Sequence, residues 1–575
     1  MNSAGWRLIV TVASVAIFIL GLFFSFAFNS DFSSLEVKTV SIVDGDVKIS
    51  GLLYCPGYAS AWNPRPSVVL AHGIGSSKEM MSGIGLELSK RGFVALCIDL
   101  IGHGGSSGSV REGADDPSLG VLSALKYIRA QHFVNSSAVG LVGHSLGAGA
   151  VRAAFVSDSE IDASVLIAGG IGGVAAGSNY GVINSTFPKN LLVIIGKYDV
   201  LFNLTELTNN ELLSPFGAKE EVIPGLLYGS FSSGTARKLA VPMTTHLFEP
   251  VDPIVVSEIV CWMQGTFTSE VFVSRTDLGL TYFQRDMAVL VSLASFLIIV
   301  LLAFDHLLRK IGLNPENVAF KVERAVFGKW KTFMLWAVIE LTLLLPMFYA
   351  GYVILFPPLV FGASVAWWAL SVGTIGLILL AELLPRFPRA KFNLKSIFQK
   401  RFDWKYIALV LCLFVFMVAV VTLSELTFNF NFRMVTPVLR SFTSASRVFA
   451  FFEFFPFFLV YFFAEGMYLH ELAGMSQENI ENLSSFLNCG KVAFGKVSPF
   501  IALLCVHYLP VVLFGTWLFP RFVGFILEFF WLITPIFLIT TVCSWWFYRK
   551  TGNVWTGTVF NSLLIGWVAS TVFPF

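Results

Sequence analysis

LVGHSLGAGAV, residues 141–151, is the stretch on which the reading of this chain turns. An apolar run, 138–142, has the length of a buried strand. It runs into Gly143-His144-Ser145-Leu146-Gly147, and small residues suited to a close-packed helix follow. In G-x-S-x-G between a strand and a helix, the serine sits in a sharp, strained turn. A side chain at either glycine would strike the strand or the helix. Such a turn exposes the hydroxyl and aims a helix N-terminus at it. An idle serine in a glycine-rich turn would spell the same five residues, so the partners of Ser145 decide.

A serine hydroxyl is a weak nucleophile that needs a base, usually a histidine oriented by a carboxylate. In a strand–turn–helix setting the chain order is serine, acid, histidine. Of His72, His103, His132, His144 and His246, only His246 follows Ser145. It stands just ahead of a helix-like stretch, 253–263. The acid should end a strand between the two, and the apolar run 191–195 followed by Gly196-Lys197-Tyr198-Asp199 has that shape. Asp158 and Asp162 sit in a surface-like stretch, and Asp252 suits the cap of the helix after it. An oxyanion needs two backbone N–H donors. Leu146, directly after the serine, is one; Ile74, in the loop His72-Gly73-Ile74-Gly75 after the apolar run 67–71, is the other. His72 is out of order for a base and reads as a loop-structuring residue.

The surroundings fit. Runs 37–43 and 47–54 read as a hairpin turning at Asp44-Gly45. Further apolar runs at 93–98 and 163–168 alternate with helix-like stretches at 78–90 and 117–131. That alternation predicts a mostly parallel sheet with helices on both faces, whose active residues lie at the carboxyl ends of the strands.

The segments VVLAHGIGSS, ALCIDLIGHGGSSG, LVGHSLGAG, LLVIIGKYD and TTHLFEP carry a resemblance. Residues 36–265 resemble an α/β-hydrolase domain, closest in flavour to dienelactone-hydrolase-like and prolyl-oligopeptidase-like members. The resemblance implies that Ser145, Asp199 and His246 form a triad. It also implies that Asp99 and the turn Gly102-His103-Gly104 are structural. Dienelactone hydrolases proper carry cysteine where this chain has Ser145, which favours ester or amide chemistry here. The glycine-rich stretch 169–190 occupies the usual place of a cap.

The rest of the chain is different in kind. Of 575 residues, 55% are hydrophobic and only 13% charged, and the mean hydropathy is +0.73. Soluble globular proteins do not have this balance. A net charge of +2 gives no basic field and no case for nucleic acid. The seven cysteines are scattered, with no CxxC pair and no His/Cys cluster, so neither a disulfide framework nor a metal site is implied. The apolar run 6–28 can span a bilayer and is too long for a signal-peptide core, so it reads as an uncleaved anchor. After Arg285 eight further spans are expected: 287–305, 332–352, 359–384, 404–424, 448–468, 497–519, 523–547 and 554–573. The organisation expected is an anchor, 1–30, a hydrolase domain, 31–280, and a polytopic membrane domain, 281–575.

Lys and Arg crowd the loops 305–331 and 386–405, which places these in the cytoplasm under the positive-inside rule. The N-terminus then lies inside and the hydrolase domain outside the cell membrane. The sequons at Asn135, Asn184 and Asn203 agree with an outer position. Glu340, Glu453, Glu465, His507 and Glu528 fall within spans, where ionisable groups mark functional sites by default; Glu340 and Glu528 stand out. The basic loop from Arg433 to Arg447 faces the hydrolase domain or lipid phosphates, and 476–486 reads as an amphipathic interfacial piece. Together these features predict a membrane-anchored serine hydrolase acting on an ester or amide of lipid or peptide type, with no metal or organic cofactor. An acyltransferase to a membrane-held acceptor, or a non-enzymatic transporter or assembly platform with a hydrolase-like binding domain, are the alternatives. Substrate and oligomeric state stay open at this level.

Overall fold

The computed structural model describes residues 3–110, 116–169, 183–202, 209–268, 278–313, 329–383, 402–429, 431–433, 437–472 and 483–575. The expected cap at 169–190, the sequon at Asn203, the two basic loops and the piece at 476–486 lie wholly or mostly outside these residues. After α1, Ser3–Asn29, come β1, Leu35–Asp44, and β2, Val47–Pro56, paired as an antiparallel hairpin. Gly45 takes the positive φ of 61° that this turn requires. Then follow β3, Arg65–Ala71; α2, Ser82–Ser89; β4, Val94–Ile98; α3, Val121–Arg129; β5, Val134–His144; α4, Leu146–Ser157; β6, Ala163–Ile167; β7, Leu191–Ile194; α5, Asn209–Phe216; β8, Leu227–Tyr228; β9, Arg237–Ala240; and α6, Pro253–Phe267.

The nine strands make one sheet in the order β1-β2-β4-β3-β5-β6-β7-β9-β8. From β4 to β9 every pairing is parallel. Side chains alternate across the sheet. Val69, Leu141 and Leu166 face α3 and α4, while Val68, Leu70, Val142 and Val165 face α2 and α6. Because both faces are covered, the central strands read as unbroken apolar runs.

The helix expected over 117–131 starts only at Val121. Leu119 and Gly120 have φ of 48° and 95°, and the Asp116 carboxylate accepts from the N–H groups of Ser118 and Gly120. A local turn thus takes the place of a first helical turn. Asp252 does cap α6, accepting from Ile254 and Val255 N–H.

The helical half begins with α7, Tyr282–Lys310, and continues through α8, Lys329–Ile354; α9, Gly362–Leu383; α10, Trp404–Phe428; α11, Ala445–Gly466; α12, Leu483–Phe514; α13, Arg521–Glu528; α14, Phe530–Thr551; and α15, Val554–Val572. Among the described residues, eight helical segments are long and apolar enough to cross a membrane, α1 and seven from Tyr282 onward. Two details differ from the sequence expectation. The span expected at 523–547 falls within one such segment, Arg521–Thr551, whose helix is interrupted at Phe529 between α13 and α14. The last expected span, α15, is a helix but is not among these eight. Its Thr558, Asn561, Ser562 and Ser570 are buried against neighbouring helices, so it needs no apolar surface.

The two halves share polar contacts. Arg447 donates to the carbonyls of Gly102, Ser570 and Phe573, and Thr443 donates to Gly104 O at 2.8 Å. Arg440 lies 3.9 Å from Glu79, which with Asp99 flanks Lys78. The part of the basic loop from Arg433 to Arg447 within the described residues therefore contacts the sheet domain.

Candidate active site

The turn at Ser145 has the geometry its glycines anticipate. Ser145 takes φ 52° and ψ −114° between β5 and α4, a conformation that costs energy in a non-glycine residue. A Cβ on Gly143 would come within 2.2 Å of Gly147 O, and one on Gly147 within 2.3 Å of Ala71 O. Both positions therefore require glycine, and Ser145 is held up at the carboxyl end of the sheet.

The sheet order then brings the partners in. β7 pairs with β6, and β9 with β7, so the loops after β7 and β9 reach the same edge. Ser145 Oγ donates to His246 Nε2 at 3.0 Å. His246 Nδ1 donates to Asp199 Oδ2 at 3.0 Å. Asp199 Oδ1 accepts from the N–H groups of Leu201 and Phe202 at 2.7 and 3.0 Å. Phe202 lies nearly parallel to the imidazole, ring centres 6.0 Å apart.

Leu146 opens α4, where the first four N–H groups have no helical partner. The loop after β3 lies against the serine: a Cβ on Gly73 would sit 3.3 Å from Ser145 Cβ. Gly75 N–H is donated to His103 Nε2, so Gly75 is already engaged and Ile74 N–H carries no such bond to His103. His72 accepts from Leu100 N–H, and Asp99 accepts from the backbone N–H groups of Lys78 and Gly105. These contacts give both residues structural roles, as expected.

Burial opposes a charge on His246, but the Asp199 carboxylate outweighs it, with a smaller contribution from Glu528, and the imidazole pKa is raised above its ordinary 6.5. Neutral His246 is the form that can take a proton from Ser145. Reaction at Ser145 should therefore rise with pH along a single limb with its midpoint above 6.5. The rate of covalent serine labelling between pH 5 and 9 checks this.

Two residues that sequence order gave no reason to choose sit behind the histidine. His144 Nε2 donates to the His246 carbonyl at 3.0 Å, and burial holds His144 well below its ordinary pKa, so it is neutral. Glu249 accepts from Gly196 N–H; burial, then Asp199, push its pKa well up. His144, His246 and Glu249 have ligand atoms within 4.8 Å of one another. Both ring nitrogens of His246 are already committed, and Glu249 is favoured in its neutral form. The donor set suits a buried hydrogen-bond cluster rather than a metal.

The helical half closes the site. Phe525 of α13 meets the His246 ring edge-on, centres 5.7 Å apart. Gly524 allows this approach, since a Cβ there would fall 2.4 Å from Val200. Tyr508 donates to Glu528 at 2.9 Å. Of the two carboxylates singled out in the spans, Glu528 thus sits near the histidine. Glu340 sits elsewhere, in a buried cluster with Lys496, Tyr461 and Trp336.

Residues 68–288 match the sequence profile of the alpha/beta hydrolase family. The sheet order and turn geometry agree with that match. This part of the chain is an α/β-hydrolase domain. The hydrolase domain aligns with solved structures. One is the esterase Pf2001 of Pyrococcus furiosus, at 21% identity over 41% of this chain and 94% of that one, TM-score 0.31. Another is a cold-adapted esterase from an Arctic intertidal metagenomic library, at 20% identity over 40% and 94%, TM-score 0.30. Comparison with curated proteins gave no match. A hydrolase is the activity the family match supports.

Proposed function

We propose that this chain is a membrane-anchored serine hydrolase that cleaves an ester or amide through an acyl-enzyme. The observation that carries the reading is the continuous chain of hydrogen bonds Ser145–His246–Asp199 at a strained turn. Ser145 Oγ attacks the carbonyl carbon while His246 Nε2 takes its proton. Asp199 holds the ring in the tautomer with Nε2 unprotonated and stabilises the imidazolium that forms. The oxyanion is received by the N–H groups of Leu146 and Ile74. Collapse expels the alcohol or amine, which takes the proton from His246. Water then gives a proton to His246 and attacks the acyl-enzyme, and collapse releases the acid as Ser145 Oγ takes that proton back from His246. No step calls on a metal or an organic cofactor. The substrate approaches from the membrane, and the hydrolase domain lies outside the cell.

The test is a membrane-impermeant fluorophosphonate applied to intact cells. Wild type is expected to be labelled and Ser145→Ala not. Labelling only after lysis would reverse the orientation, and no labelling of folded wild type in either condition would sink the enzyme reading.

A further inference from the structure

A cavity adjoins the hydrolase domain at Gly75. It lies within the helical half, with a volume of about 160 Å³, and one residue of the hydrolase domain, Gly75, lines it. Gly75 directly follows Ile74. Its φ is +68° and the space where a Cβ would stand is open. The other walls come from the helical half, among them Phe361, Trp368, Ile526 and Phe529.

The walls are also continuous with the histidine. Phe525 touches His246 on one side and Phe361 on the other, ring centres 5.7 and 6.3 Å apart. Ile74 packs in the same apolar cluster as Phe361, Phe525 and Ile526. The cavity therefore lies close to the loop that carries Ile74, not at a remote point of the bundle.

We infer that the helical half supplies the acyl pocket of the active site, and that the substrate carries an apolar acyl chain of about six carbons. This inference rests on the serine-hydrolase reading. The chemistry of the walls excludes a polar occupant. The two hydroxyls in the lining are already spent: Ser364 donates to Phe348 O and Tyr461 to Glu340. A sugar or peptide side chain entering here would lose its water and find no replacement. An apolar cavity of roughly 150 Å³ accepts a six-carbon ring, which sets the size. The pocket also gives a reason for joining a hydrolase to a bundle, because a lipid acyl chain reaches the serine without leaving an apolar medium.

The test uses the full chain in detergent with p-nitrophenyl esters from acetyl to octanoyl, so that only the acyl chain varies. Each buried methylene should raise kcat/KM by up to roughly fourfold (about 0.8 kcal/mol), giving up to about 4,000-fold across the six methylenes added from acetyl to octanoyl. Ala369→Phe and Val568→Phe, each placed to fill the cavity, should cut the octanoyl-to-acetyl ratio at least about tenfold. A short ethyl fluorophosphonate runs alongside. If it labels wild-type Ser145 but the chain-length series is flat, the acyl pocket is overturned and the hydrolase reading stands. If it labels neither and no ester is cleaved, both fall together. Should one filled variant fail to fold, the other and the wild-type series decide.

Discussion

His246→Ala lowers kcat/KM for a p-nitrophenyl ester about 10⁶-fold, and the double variant Ser145→Ala/His246→Ala falls no further. The size follows from the absence of a substitute base at the serine. His144 is the nearest other imidazole, but its Nε2 is turned to the His246 carbonyl, and its position behind His246 is fixed by packing, ring centres 5.0 Å apart. Without a base the Ser145 hydroxyl keeps its proton, and removing the hydroxyl as well costs nothing more because the two act as a unit. What survives is substrate binding and whatever the N–H groups of Leu146 and Ile74 give to an oxyanion. A thermal melt separates this from unfolding: the alanine leaves a gap between Phe202 and Phe525, with a stability cost of about 1–3 kcal/mol. A drop of less than about 100-fold in folded protein would mean that another group takes the proton.

The glycines and the chain order explain why Ser145, Asp199 and His246 could be picked out before any fold was known. Gly143 and Gly147 are forced by backbone collisions at 2.2 and 2.3 Å, so the turn leaves a mark in sequence. The acid and the histidine follow because parallel strands added in sequence deliver their carboxyl ends to one edge. Phe525 left no such mark. Nothing distinguishes it from the other phenylalanines of the helical half until the fold sets α13 beside His246. A window of apolar residues reports a span, as at 523–547 within Arg521–Thr551, and not which residue of it meets another domain. The last helix shows the converse. Its Asn561 is bonded to Thr540 O inside the bundle, and such a helix looks too polar to cross a membrane when judged alone. The start of α3 was hidden by the Asp116 turn, whose side-chain bonds compete with helix.

Asp199→Asn, the second large effect, lowers kcat/KM about 10⁴-fold while leaving the fold in place. One oxygen of Asp199 accepts from Leu201 and Phe202 N–H, and asparagine can present its carbonyl oxygen there. Its amide NH₂ then faces His246 Nδ1 and donates to it. That fixes the proton on Nε2, so the nitrogen facing Ser145 becomes a donor and can no longer accept the serine proton. Phe202, anchored by the same carbonyl, still stacks on the ring, so orientation is kept and only the tautomer is wrong. The carboxylate that raises the His246 pKa is lost as well. The acid limb of the pH profile should therefore move to lower pH even as the plateau collapses. A variant that merely loosened the site would lower the rate without moving that limb, so the pH profile distinguishes a tautomer effect from a structural one. Loss of rate with an unmoved limb would remove Asp199 from the role given to it.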